Sequence, residues 1–254
     1  MTVRELTDAG QVRVACGDDD LLVWAAQGLR GGARAWALGD AVVAAAPGAS
    51  RRDRLAVWGG VSCAVELVGY ALAELGPSYR PFGERELVGE VTAKLDGLER
   101  AGTFSWMSLP ALEGPVLEGP VLEGPVPDGV GWLEPAADAE VAALLAADAP
   151  DSYAVPGLAG VSRWAGVRVE GELAAVAADA WSAPTVGLLA GVATRARFRG
   201  RGLAGRVCRW VSRELLAGYG RAALMVDDDN AAAIAVYERI GYRRRRVLAA
   251  RVAC

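Results

Sequence analysis

Residues 199–204 read Arg-Gly-Arg-Gly-Leu-Ala, and they stand between two stretches of opposite character. Before them, TVGLLAGVAT (185–194) carries no charge and reads as a buried strand. After them, Leu203, Val207, Trp210, Val211 and Leu215 recur at helical spacing, and Gly218 and Gly220 end that helix. A glycine turn from a buried strand into an amphipathic helix lets the backbone approach a ligand with no Cβ in the way. The helix adds free N–H groups and the positive end of its dipole. Together these make a cradle for an anion such as a pyrophosphate, to which Arg199 and Arg201 would add charge-assisted hydrogen bonds.

Other phosphate loops fit this stretch less well. A Walker loop needs Gly-Lys-Ser/Thr, which Leu203-Ala204 does not supply. Gly200, Gly202 and Gly205 satisfy the GxGxxG spacing of a dinucleotide fingerprint, and Asp227 lies 22 residues further on. That fold usually opens its own domain, whereas only about 50 residues follow here.

Moving outward, residues 136–147 read as a helix, and 165–170 and 172–179 as two strands joined at Gly171. Residues 221–226 read as a short buried strand. Asn230 is placed to cap a helix whose inner face carries Ala233, Ile234, Tyr237 and Ile240; Gly241 stops it, and a last strand covers 242–252. On these residues the C-terminal part, about 127–250, resembles the GNAT superfamily of acyl-CoA N-acyltransferases. Arg199 to Ala204 satisfies the family's Q/R-x-x-G-x-G/A signature, and Val192-Ala193-Thr194 matches its V-x-P/T strand end. Asn230, Ala233, Tyr237, Gly241 and Tyr242 reproduce its N-x-x-A-x-x-x-Y-x-x-x-G-F/Y pattern.

The resemblance implies an α/β fold, a mixed, mostly antiparallel sheet flanked by helices. It also implies transfer of an acetyl or other acyl group from acetyl-CoA, as co-substrate, to an amine by direct attack. Backbone groups of Val192, Ala193 and Thr194 would pair with the pantetheine arm. The amides of Arg199, Gly200, Arg201, Gly202, Leu203 and Ala204 would hold the pyrophosphate, and Asn230 would stand near the cofactor. The amide of Val192 would stabilise the oxyanion, and Tyr237 would protonate the departing thiolate. The packed alternative for Tyr237 is a core tyrosine with a satisfied hydroxyl. Many relatives carry a Glu before the loop. Here the stretch is Gly187-Leu188-Leu189, and Asp179 is the nearest substitute for a base. Rival readings are a non-catalytic acyl-CoA-binding regulatory module and a dinucleotide-binding protein.

Composition narrows the chemistry. The 254 residues contain no histidine, which removes His triads, His metal ligands and imidazole catalysis. Four cysteines, Cys16, Cys63, Cys208 and Cys254, form no CxxC pair and read as small thiols, so no metal is expected. Residues 191–254 hold 14 arginines against five acids in a chain of net charge -4, which points to an anionic ligand. The run Arg243–Arg246 reads as a solvated or edge strand, with a CoA phosphate, an acidic partner or nucleic acid as alternatives; no interleaved aromatics support the last. No membrane span or signal segment is read, so a cytoplasmic protein is expected. Its partner would be a small-molecule or peptide amine, with a homodimer left open.

The pentapeptide LEGPV occurs three times over 112–126, and Gly-Pro in each copy breaks helix and strand alike. It reads as a linker (111–126) between an N-terminal α/β lobe (1–110) and a GNAT-like domain (127–254). In the N-terminal part, 34–46 reads as a hairpin turning at Gly39-Asp40, 54–59 and 104–109 as strands, and 62–75 and 84–97 as helices. That order allows a diverged second GNAT-like lobe in tandem, although no phosphate loop accompanies it.

Overall fold

The structure is a computed structural model and describes residues 1–109 and 129–253. The LEGPV segment lies outside the described residues. The chain forms two compact units that interleave in sequence. One comprises Met1–Trp106, Ala183–Thr185 and Arg245–Cys254; the other comprises Met107–Ser182 and Val186–Arg244.

The first unit is built from β1 (Arg4–Leu6), α1 (Ala9–Ala15), α2 (Asp20–Ala25), β2 (Arg34–Leu38), β3 (Ala41–Ala46), β4 (Arg54–Trp58), α3 (Val61–Leu75), β5 (Arg80–Glu84), α4 (Arg85–Lys94) and most of β6 (Leu98–Leu109). The second holds β7 (Val130–Trp132), α5 (Asp138–Asp148), β8 (Val161–Val169), β9 (Glu172–Ala180), β10 (Gly187–Thr194), α6 (Leu203–Tyr219), β11 (Ala222–Asp227) and α7 (Ala231–Ile240); the chain ends in β12 (Arg243–Val252). Each unit thus runs from a strand through helix, three antiparallel strands, helix, strand and helix. This repetition matches the tandem arrangement that the element order allowed.

In the first unit the sheet order is β1-β2-β3-β4-β5-β12-β6, and in the second β6-β11-β10-β9-β8-β7. β4 pairs parallel with β5, and β10 with β11. The pairings β1–β2, β2–β3, β3–β4, β5–β12, β7–β8, β8–β9 and β9–β10 are antiparallel. The fold is therefore α/β with a mostly antiparallel sheet, as expected. The last strand leaves the unit that precedes it: Val247, Leu248 and Ala249 pair with Glu84, Gly83 and Phe82. At the far end of β6, Met107 and Leu109 join the core of the second unit with Leu224 and Ile240.

Local sequence explains most elements. Eight of the nine positions of β9, ELAAVAADA, are buried, so small alanines fill a strand covered on both faces. α6 buries Leu203, Val207, Val211 and Leu215 along one stripe. Strand β5 is not anticipated by the sequence reading, because Pro81 lacks a ladder donor and Gly83 weakens a strand. Gly83 has a steric reason: a Cβ there would lie 2.5 Å from the Val57 carbonyl oxygen. Of the two readings of the arginine run, the solvated strand holds for Arg243, Arg244 and Arg246, which are exposed, and the edge strand does not, since β12 lies between two neighbours. Within it, Arg245 turns inward to the carboxylates of Asp19 and Asp20. No helix among the described residues is long and apolar enough to cross a membrane.

Candidate acyl-transfer site

The candidate site begins where β10 leaves β11. The two strands are paired at Gly187–Ala222, Leu188–Ala223 and Leu189–Leu224. From Ala190 to Thr194 β10 has no β11 partner, so a cleft opens along its edge. On its other edge β10 stays paired with β9, but the register slips: Ala190 faces Ala178 while Ala193 faces Val176. One extra residue on β10 is a β-bulge, and Gly191 supplies it with φ +61°. A Cβ on Gly191 would sit 2.5 Å from Trp164 Cη2, so no larger residue fits without displacing that ring. The bulge turns the backbone of Val192 at the mouth of the cleft, and Val192 packs against the cluster that contains Tyr237. The sequence reading missed this bulge; a lone glycine inside an uncharged strand was its signal.

After β10, the segment 195–202 is strapped into place. The amide of Arg195 donates to Ala174 O (2.9 Å) and that of Ala196 to Asp148 Oδ1 (2.8 Å). Arg195 and Arg197 both pair with Glu172, and Phe198 is buried beneath Arg197 and Arg201 at 5.0 and 5.3 Å. The Arg199 guanidinium donates to the carbonyls of Thr194 (3.2 Å) and Asp148 (3.0 Å). Its charge is therefore engaged in holding the loop, and an anion would meet its main chain first. Beyond it, Gly200 (φ +76°) and Gly202 (φ +73°) present open faces, with nothing within 4 Å of a built Cβ. Gly202 is the N-cap of α6, and no side chain caps that helix. The first turn thus offers its N–H groups to an incoming anion. Beside the loop, Thr194 Oγ1 is buried with no hydrogen-bond partner among the described residues. An open glycine cradle, an uncapped helix and an orphaned hydroxyl fit the phosphate and amide groups of a CoA arm.

Helix α7 brings Tyr237 into the core cluster against which Val192 packs. Asn230 Oδ1 accepts from the amide of Ala233 (3.1 Å), so its side chain is the expected cap. Seven residues on, Tyr237 is 7% exposed and lies edge-on to Tyr242, with ring centroids 6.0 Å apart. Its hydroxyl makes no hydrogen bond to a described residue, whereas Tyr242 pairs with Ser212 Oγ at 2.8 Å. Burial, reinforced by Cys208 and Tyr242, pushes Tyr237 well above the usual tyrosine pKa, so it remains a protonated donor. Burial likewise pushes the Cys208 thiol up to about 12, which leaves it inert as a nucleophile at neutral pH.

Asp179 is brought to the closed end of the β10–β11 pair, opposite Leu189. It is 1% exposed and accepts from Arg163 (3.3 Å), Ser182 (2.5 Å) and Tyr219 (3.0 Å). A carboxylate with three donors clamps strand and helix together; it is not poised as a base. The first unit repeats the topology with a shorter connection between strand and helix. β4 pairs with β5 at four of its five residues, only Gly59-Gly60 connects β4 to α3, and Val91 stands where α7 has Tyr237, seven residues after the cap.

Comparison with known proteins follows this geometry. Residues 165–251 match the family model of FR47-like proteins. No curated protein matches the chain in sequence. Among solved structures it is similar to a GCN5-related N-acetyltransferase from Kribbella flavida, at 19% identity and TM-score 0.58, over 94% of this chain and 93% of that one. A GCN5-related N-acetyltransferase from Sphaerobacter thermophilus gives 14% identity and TM-score 0.56, over 100% and 96%. A GNAT-family acetyltransferase from Colwellia psychrerythraea gives 11% and 0.52, over 99% and 100%. Residues 165–251 are thus FR47-like, and the chain has the fold of the GCN5-related N-acetyltransferases.

Proposed function

We propose that the chain is an N-acetyltransferase that moves an acetyl group from acetyl-CoA to an amine in one direct step. The observation that carries this reading is the opening of β10 from β11 at a glycine bulge, followed by a strapped, uncapped glycine loop, with Val192 packed against the cluster that holds Tyr237. Backbone groups of Val192, Ala193 and Thr194 would pair with the pantetheine arm as a missing strand does. The amides from Arg199 to Ala204 would receive the pyrophosphate, with Asn230 fixing the helix beside it. The amine nitrogen attacks the thioester carbon, and the developing oxyanion rests on the Val192 N–H. As the C–S bond breaks, Tyr237 gives its proton to the sulfur; the proton lost by the attacking nitrogen passes to solvent, and an equivalent proton returns to the tyrosinate.

A non-catalytic acyl-CoA-binding module is the rival reading. The experiment that separates them follows thiol release from acetyl-CoA in the presence of pooled primary amines. Transfer supports the proposal. Calorimetric binding of acetyl-CoA without transfer to any amine would leave a binding module in its place, and binding of a nicotinamide dinucleotide without CoA would favour the dinucleotide reading.

A further inference from the structure

The candidate site takes the end of one parallel strand pair; the end of the other, in the first unit, holds a cavity. The β4–β5 ladder stops at Val57–Gly83, while Trp58 still pairs with Val42 of β3 and Glu84 with Val247 of β12. Past that point β4 and β5 each keep their outer neighbour and no longer pair with each other. A cavity of about 290 Å³ lies there. Ligands of open α/β sheets bind outside the carboxyl ends of the strands, and ~300 Å³ is the lower end of the usual size of a small-molecule site.

The lining is part apolar and part charged. Leu21, Val57 and Leu87 are buried, and Trp58 adds a half-buried indole. The charged part is Asp19, Glu84 and Arg245. Arg245 is already neutralised, because its guanidinium donates to both carboxylate oxygens of Asp19 and to Asp20 Oδ1 (3.1 Å). Both acids are fixed in turn. Asp19 Oδ1 accepts from the amide of Leu22 (2.9 Å) as the cap of α2, and Asp20 Oδ1 accepts from Trp106 Nε1 (3.0 Å). Glu84 differs from them. It is exposed, its side chain caps no amide of α4, and its carboxylate makes no hydrogen bond to a described residue. Three carboxylates thus share one guanidinium, and the one without a hydrogen-bonded partner lines the cavity.

This lining selects among ligands. An anion would meet Glu84 and a guanidinium that two carboxylates already occupy. A divalent metal would meet a wall in which Leu21, Val57 and Leu87 offer no side-chain oxygen, and no group of three or more acidic or sulfur ligands suited to a metal occurs among the described residues. A compact organic cation fits both parts. Its charge offsets Glu84 without displacing an ion pair of the fold, its body covers the apolar wall, and Trp58 offers a π face to the charge.

We propose that this cavity of the first unit binds a small ammonium compound with an apolar body, using none of the residues assigned to acyl transfer. The proposal stands independently of the transferase reading.

The test is calorimetry on the full chain, without acetyl-CoA, using phenethylamine, 2-phenylethanol and phenylacetate, which share a benzyl group and differ in charge. Phenethylamine is expected to bind about 10-fold or more tighter than the other two, the low end for a hydrogen bond to a charged group. Ethylamine, which lacks the ring, should bind about 10-fold or more weaker than phenethylamine. Glu84→Gln keeps the shape and removes no hydrogen bond within the protein, so thermal stability should hold while phenethylamine affinity falls about 10-fold. Glu84→Asp, which keeps the charge, should retain the preference for the ammonium. A parent that binds none of the probes at millimolar concentration, or that prefers phenylacetate, overturns the proposal. So does a folded Glu84→Gln protein that keeps the preference for phenethylamine, because the amine would then be held by another part of the chain. Loss of binding in Glu84→Asp equal to that in Glu84→Gln would show that Glu84 acts through its shape and not its charge, and overturns it as well.

Discussion

Replacing Gly191 with alanine is the perturbation whose cost can be worked most directly from the structure. Two penalties act together. At φ +61° a residue with a Cβ loses about 1–2 kcal/mol to steric repulsion with its own carbonyl. The new methyl would also stand 2.5 and 2.9 Å from Cη2 and Cζ3 of Trp164, rigid ring atoms of a buried side chain, and such overpacking costs about 1–3 kcal/mol. Alanine restricts the unfolded chain, which returns roughly 0.4–1 kcal/mol. The net expectation is a loss of about 1–5 kcal/mol, a large part of the ~5–15 kcal/mol available to an ordinary domain. Urea denaturation of parent and variant measures it. Trp164→Phe separates the two penalties, because it removes the atoms that clash and leaves φ unchanged. The double variant should then cost at least about 1 kcal/mol less than the sum of the single ones. A Gly191→Ala protein within about 0.5 kcal/mol of the parent, with acetyl transfer intact, would show that the bulge is neither strained nor needed.

Tyr237→Phe keeps the ring and removes a hydroxyl that bonds no described residue, so stability should change little while turnover falls by about 10²-fold, the low end for a general acid acting on a good leaving group. Unchanged turnover with chemistry rate-limiting would return Tyr237 to the core. Because burial holds its pKa well above the usual 10, the parent's rate should show no acid-loss limb between pH 7 and 10; a fall in that window would contradict the assignment. Thr194→Val deletes the buried, unpartnered hydroxyl at constant shape, so the free protein should be as stable as the parent or more so, and a clear loss of thermal stability would mean the hydroxyl is satisfied in the native state. Glu140 is held below the ordinary carboxylate value, chiefly by hydrogen bonds from Arg168 and also by the Leu173 amide. Its stabilising effect is therefore present above the unfolded pKa near 4.5 and is lost as pH falls through the lower folded value. Glu140→Gln should flatten that acid limb in denaturation measured from pH 6 to 3, and identical limbs would refute the link.

What could be read in advance was local. The Asn230 cap, the helix face of Tyr237 and the passage from an uncharged strand into α6 all depend on residues within a few positions of one another. Short-range spacing therefore revealed them, as it did the hairpin at Gly39-Asp40. Strand β5 was hidden because Pro81 and Gly83 are poor strand formers in isolation; the close approach of the Val57 carbonyl, which makes glycine necessary there, is a long-range fact. Arg199 shows the same limit within the site. Its position in a phosphate-loop pattern suggested a charge for the ligand, but the acceptors that engage it include the Asp148 carbonyl, 51 residues away.

The two units supply an internal comparison that isolates what a site requires beyond the fold. Both place a parallel strand pair next to a helix, and ligands of such folds gather where parallel strands end. In the first unit β4 follows β5 to Val57 and Gly83 and then turns within two glycines into α3, and a cavity lined by Val57, Trp58, Gly59, Gly83 and Glu84 lies at that end. In the second unit, the bulge at Gly191 directs β10 away from β11 after Leu189, and a strapped loop separates strand from helix. Buried main-chain groups must find partners. A bulge that withholds them from a neighbouring strand leaves an edge on which, in the proposed function, a ligand would take that strand's place. On this reasoning the second unit, whose β10 parts from β11 after Leu189, is the one proposed to bind an acyl-CoA arm.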